Sequence, residues 1–186
     1  MESPRGLDLA AFSGWLGRVQ PDLLDTSAGL SATLITGGKS NLTYAVSDGS
    51  RDVIVRRPPL GHVLATAHDM AREYRVMQAL SGSAVRVPAM FGLCEDTEVI
   101  GAPFYVMERI TGTAFQRASE LEPLGLVRVR GIANQLVDTL VALHEVDYQA
   151  IGLGDFGRPD GYLERQVKRW RQQLEKSRTR EIPGID

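Results

Sequence analysis

The stretch Ile35-Thr36-Gly37-Gly38-Lys39-Ser40-Asn41-Leu42-Thr43-Tyr44 lies between two runs that read as strands. Gly38-Lys39-Ser40 resembles the end of a P-loop, but P-loop spacing puts a glycine at position 33, where this chain has Thr33. A P-loop also leads into a helix, whereas Leu42-Thr43-Tyr44-Ala45-Val46 alternates and is rich in strand formers. The turn therefore joins two antiparallel strands. Such glycine turns can bring backbone N–H groups up to phosphate, and kinases cover ATP phosphates in this way.

Working outward, Gly29 to Ile35 and Leu42 to Ser47 read as strands, the second closed by the turn signal Asp48-Gly49. Asp52-Val53-Ile54-Val55-Arg56 is a third strand, stopped by Pro58-Pro59 because proline cannot donate to a ladder. A helix follows from about His68 to Leu80. Thr66-Ala67-His68-Asp69 resembles a capping box at its start, and Glu73, Met77 and Leu80 share a face. Met90–Cys94 and Pro103–Met107 read as two more strands around a polar turn. At the N-terminus, Asp8 caps a short helix through Trp15 and Leu16.

From Gly112 the pattern is helical. Ile132, Leu136, Val137, Leu140 and Leu143 form one apolar stripe, and Leu163, Val167, Trp170 and Leu174 form another. The expected fold class is α+β and protein-kinase-like: a five-stranded antiparallel N-lobe with one inserted helix, plus the first helices of an α-helical C-lobe. The expected division is residues 1–28 as an N-terminal helical segment, 29–111 as the N-lobe and 112–186 as an incomplete helical lobe.

Composition narrows the function classes. The 186 residues carry a formal net charge of -2, which gives no broad basic field and argues against nucleic acid as a partner. A single cysteine, Cys94, excludes an internal disulfide and suits a reducing compartment. No basic-then-apolar start marks a signal peptide, and no apolar run approaches the roughly 20 residues of a membrane span. A cytoplasmic protein without a membrane partner is expected.

The chemistry lies in an ordered set: a glycine turn, a cation ending the third strand, an acid on the next helix, and a strand running into a linker. Kinase-type ATP sites need that order. Arg56 is the candidate cation. It shares a strand face with Ile54, while Val53, Val55 and Arg57 share the other. Glu73 is its candidate partner, since Met77 and Leu80 on the same face turn it inward, where an unpaired carboxylate is costly. Met107-Glu108-Arg109-Ile110 is the candidate linker. Singly, each has a plainer reading: exposed strand-end arginines, a surface glutamate, an ordinary strand end. A cation and an anion at this spacing explain one another.

Four segments together resemble the aminoglycoside phosphotransferase and choline kinase-like family: Gly37-Gly38-Lys39-Ser40-Asn41, Val55-Arg56-Arg57-Pro58-Pro59, His68 to Val76, and Gly101 to Glu108. Within it they resemble the branch related to the kinase-like domain of acyl-CoA dehydrogenase proteins. Leu143-His144-Glu145-Val146-Asp147 and Asp155 to Gln166 also fit that branch. The resemblance implies ATP as cofactor, with Gly37, Gly38, Ser40 and Asn41 over its phosphates and Arg56 in place of the usual lysine, paired with Glu73. It implies Met107 at the back of the adenine pocket, with the Glu108 carbonyl and Ile110 N–H on the adenine edge. A complete parent would transfer the γ-phosphate of ATP to a small-molecule hydroxyl with the help of magnesium.

The family's chemistry sits in a His-Gly-Asp loop and a later magnesium-binding aspartate. None of His62, His68 and His144 is followed by Gly-Asp. Asp155-Phe156-Gly157 spells a kinase magnesium motif but precedes a helix near Asp160 instead of following a catalytic loop, and reads as a turn. The expectation is an ATP-binding N-terminal part of such a kinase, without catalytic or metal residues and inactive alone. Its stripes would be left apolar and open to a partner that covers the incomplete lobe. The alternative is a non-catalytic nucleotide-binding or regulatory interaction module.

Overall fold

The structure is a computed structural model that describes residues 3–27, 29–36, 40–61 and 68–177. Gly37, Gly38, Lys39, Thr66 and Ala67 lie outside the described residues, as does the tail from residue 178.

The first helix, α1, spans Leu9–Val19, with the Asp8 carboxylate accepting from the N–H groups of Ala10 and Ala11 at 2.9 and 3.0 Å. These are two of the donors that a helix start leaves unsatisfied. Strands β1 (Ser31–Leu34), β2 (Leu42–Ser47) and β3 (Asp52–Arg57) follow. Helix α2 spans Met70–Leu80, and β4 (Met90–Cys94) and β5 (Phe104–Glu108) complete a five-stranded sheet ordered β1-β2-β3-β5-β4. Every pairing is antiparallel. The expected α+β architecture with one helix inserted after the third strand is present.

Besides shifts of one or two residues at strand ends, two features differ from the sequence reading. Helix α2 starts at Met70, because Asp69 itself is the N-cap and accepts from Arg72 N–H at 2.9 Å. His68 therefore stands in front of the helix. The polar turn between β4 and β5 holds a short helix, α3 (Thr97–Ile100), capped by Asp96, whose carboxylate accepts from Glu98 N–H at 2.9 Å.

The sheet has two faces, separated by the pleat. On one, Tyr44, Val46, Val53, Val55, Phe104 and Val106 pack with Phe12, Trp15 and Leu16 of α1 as one buried cluster. The Trp15 and Phe104 rings meet edge-on, with centroids 4.8 Å apart, a favourable aromatic geometry. Gly92 makes room here: a Cβ on it would stand 3.1 Å from Trp15 Cη2. The β4–β5 register slips at Phe91, whose carbonyl accepts from Gln20 Nε2 at 2.9 Å at the end of α1.

On the opposite face the register sets two rows. Thr33, Ala45, Ile54 and Met107 lie side by side across four strands, and Thr43, Arg56 and Tyr105 form the next row. Helix α2 lies against β4 and β5.

The chain divides into two compact units, 1–146 and 147–186. The first also holds α4 (Ala118–Leu121), a 3-10 turn at Glu122–Leu124 and α5 (Gly125–His144), on which Leu136, Val137 and Leu140 are exposed. The second holds α6 (Tyr162–Ser177), on which Leu163, Val167 and Trp170 are exposed.

Candidate nucleotide-binding site

Strand β3 ends in two arginines that the pleat sends to opposite faces. Arg57 goes to the α1 side and is 5% exposed. It is neither a strand-end surface group nor a second candidate cation. Its Nε donates to Pro58 O at 3.2 Å, and its Nη1 donates to Ile100 O at 2.9 Å and to Gly6 O. Burial pulls the Arg57 pKa down. Gly6 itself adopts φ +88°, and a Cβ there would stand 2.8 Å from Leu60 Cδ2 and 3.0 Å from the Tyr44 hydroxyl. That hydroxyl donates to Arg5 O at 2.7 Å. The cluster fastens the segment before α1 to the sheet.

Arg56 faces the open side. Its Nε donates to Glu73 Oε2 at 3.0 Å, and its Nη1 to Thr43 Oγ1 at 3.3 Å. Both members of the ion pair keep about a third of their side-chain surface in solvent, 33% and 35%. Glu73 collects two more donors: the Tyr105 hydroxyl on Oε2 at 3.0 Å and Asn41 Nδ2 on Oε1 at 2.9 Å. Tyr105 is 2% exposed. Burial first, and the adjacent Glu73 carboxylate second, push its pKa well above the usual tyrosine value. His68 Nδ1 lies 2.6 Å from Asn41 Oδ1.

The structure thus brings Asn41, Arg56 and Glu73 together, and adds three residues the sequence reading did not single out: Thr43, Tyr105 and His68. Thr43 and Tyr105 are the direct cross-strand neighbours of Arg56 on either side. Strand pairing was the signal that would have found them. Ser40 is exposed at the near end of the glycine turn.

Met107 sits on the same face as Arg56, opposite Ile54 and Met90. Glu108 closes β5: its N–H donates to Ala89 O at 2.8 Å, and its Oε2 accepts from Ala89 N–H at 3.0 Å. Beyond it, Arg109 Nη1 meets Asp52 Oδ2 at 2.5 Å, and Ile110 is 61% exposed. Two hollows meet around this pair. One, of about 480 Å³, is lined by Asp52, Arg109, Ile110, Thr111 and Gly112. The other, of about 400 Å³, includes Thr33, Ile35, Ala45, Asp52 and Arg109.

Among the described residues no group of three His, Cys, Asp or Glu side chains is placed to hold a metal ion. No described helix is long and apolar enough to cross a membrane.

A sheet of this order, with an inserted helix whose glutamate meets the terminal cation of the third strand, defines the class: a kinase-like fold. The chain belongs to the phosphotransferase enzyme family, whose profile matches residues 31–186. It is similar to acyl-CoA dehydrogenase family member 10 of Mus musculus, at 38% identity over 149 residues, 80% of this chain and 14% of that protein. It is 34% identical over 180 residues to acyl-CoA dehydrogenase family member 11 of Gallus gallus, covering 96% of this chain and 23% of that protein. Among solved structures it matches a Ralstonia eutropha protein assigned as an aminoglycoside phosphotransferase, with a TM-score of 0.76 and 35% identity, over 95% of this chain and 50% of that one. The chain therefore spans 14% and 23% of the length of these two curated relatives.

Proposed function

We propose that this chain supplies the ATP-binding part of a small-molecule kinase. In the complete protein the γ-phosphate of ATP would pass to a substrate hydroxyl. The observation that carries the reading is Arg56 held by Glu73 at 3.0 Å on the open sheet face, beside the end of the glycine turn.

A guanidinium has five N–H donors and binds phosphate as a planar fork. Nε and one Nη1 donor are committed to Glu73 and Thr43. The Nη2 edge is then the part of the fork presented to the α- and β-phosphates, with Ser40 over them. Glu73 fixes the direction of that fork. Thr33, Ala45, Ile54 and Met107 offer an apolar bed for the adenine ring. The Glu108 carbonyl and Ile110 N–H would meet its polar edge. The groups that take the hydroxyl proton and hold magnesium belong to the parent protein outside this set. So does the surface that covers the stripes on α5 and α6. A cytoplasmic, reducing setting accords with the buried free Cys94.

Calorimetric titration with ATP, with and without magnesium, tests the reading on the wild-type chain and on Arg56→Ala. Weak but measurable binding is expected, insensitive to magnesium, and about tenfold or more weaker in the variant, as for loss of a charged hydrogen bond. Equal affinity in both proteins, or no binding at millimolar ATP, would contradict it.

A further inference from the structure

Glu73, Asn41 and His68 form a chain of hydrogen bonds whose polarity is fixed by chemistry. The Glu73 carboxylate, already facing the Arg56 guanidinium, can only accept. The Asn41 atom 2.9 Å from Glu73 Oε1 is therefore its donor, Nδ2. That turns the acceptor, Oδ1, toward His68, 2.6 Å from Nδ1. An amide oxygen cannot donate, so Nδ1 must carry the proton. The neutral ring is then locked with Nδ1 protonated and Nε2 bare.

The three residues come from different places. Asn41 directly follows the exposed Ser40 at the end of the glycine turn, His68 precedes the Asp69 cap, and Glu73 lies in the first turn of α2. Their bonds tie the turn to the helix that orients Arg56. We propose that Asn41 and His68 act as positioning residues: a latch that holds Ser40 and Asn41, at the end of the glycine turn, against α2, so that the Ser40 backbone is already set for phosphate. Asn41 then serves the nucleotide by bracing the turn, with one amide face spent on Glu73 and the other on His68. The part of this proposal that concerns ATP rests on the nucleotide-site reading above; the hydrogen-bond chain does not.

Two measurements on the intact chain separate them. The first is the nitrogen-15 spectrum of the His68 ring in ATP-free protein, in alkaline buffer where imidazole is neutral. Nδ1 is expected to be protonated and Nε2 bare, with the preference lost in Asn41→Ala. The second is ATP affinity. His68→Ala is expected to weaken binding about fivefold, the scale of one hydrogen bond. His68→Asn, which keeps an N–H near the place of Nδ1, should stay within about twofold of wild type, and His68→Gln should behave like His68→Ala. In the Asn41→Ala background the His68→Ala change should cost nothing further, as a shared interaction requires.

An Nε2-protonated ring, or an Nδ1-protonated ring that survives Asn41→Ala, overturns the latch whatever ATP does. The expected tautomer with ATP affinity unchanged in His68→Ala overturns its positioning role. The expected tautomer in a chain that binds no ATP keeps the latch and overturns the nucleotide reading.

Discussion

Arg56 and Arg57 are adjacent, chemically identical, and do different work. Arg56 is half-buried and salt-bridged, in a setting where ion pairs are worth at most about 1 kcal/mol. Its loss should be felt mainly by nucleotide. Arg57 is buried on the carbonyls of Gly6 and Ile100. Arg57→Met leaves those acceptors without a donor, at a cost of about 1–3 kcal/mol. Urea unfolding should therefore show a clear loss for Arg57→Met and little change for Arg56→Ala. Only alternation separated the two in the sequence, and it assigned the faces correctly. It did not say that the Arg57 face would be closed, because the carbonyls that receive it lie 51 and 43 residues away along the chain.

Asp48 is a second residue whose work is local. Its carboxylate accepts from the N–H groups of Asp25, Arg51 and Ser50, at 2.8, 2.7 and 2.8 Å, and these bonds hold its pKa far below the usual carboxylate range. A depressed folded-state pKa gives stability that is present above the unfolded value of about 4 and is lost as pH falls toward the folded one. Asp48→Asn should lower stability at neutral pH and flatten the acid limb of a stability profile below about pH 4. A parallel acid limb in both proteins would count against this assignment.

Among the elements, α1 closes the sheet face opposite the site. Phe12 is fully buried, with ring centroids 6.1 Å from Trp15 and 5.9 Å from Phe104. Phe12→Ala should cost about 3–5 kcal/mol by thermal or urea unfolding, as for other buried aromatics. Strands β1, β2 and β3 were legible because each carries period-two alternation or a β-branched run bounded by Gly, Pro or Asp-Gly, and β4 and β5 because each is a short continuous apolar run beside a polar turn. Helix α3 was not legible, because a four-residue helix has no periodicity to read, and only its Asp96 cap marks it. The start of α2 was misplaced because Thr66 and Asp69 both satisfy a capping pattern, and Asp69 is the residue that caps. That shift matters to the site, since it places His68 ahead of the helix, within reach of Asn41. Tyr105 and Thr43 escaped notice because nothing in a single strand shows its neighbour. Their roles depend on which strands pair and in what register.

In the whole molecule, the sheet and α2 form a site in which one glutamate accepts from an arginine, a tyrosine and an asparagine. The match to the phosphotransferase enzyme family runs over residues 31–186, and Arg56, held by Glu73 at 3.0 Å, stands within it. The apolar residues exposed on α5 and on α6 are the kind of surface that larger proteins cover. The central claim is that nucleotide lies along the open sheet face between the glycine turn and the β5 linker. Backbone amide spectra recorded during titration with an ATP analogue that cannot be hydrolysed test it most directly. The account predicts shifts concentrated at Ser40 to Thr43, at Arg56 and at Met107 to Ile110, and strongly reduced in Arg56→Ala. Shifts that avoid these segments, or that persist unchanged in Arg56→Ala, would contradict it.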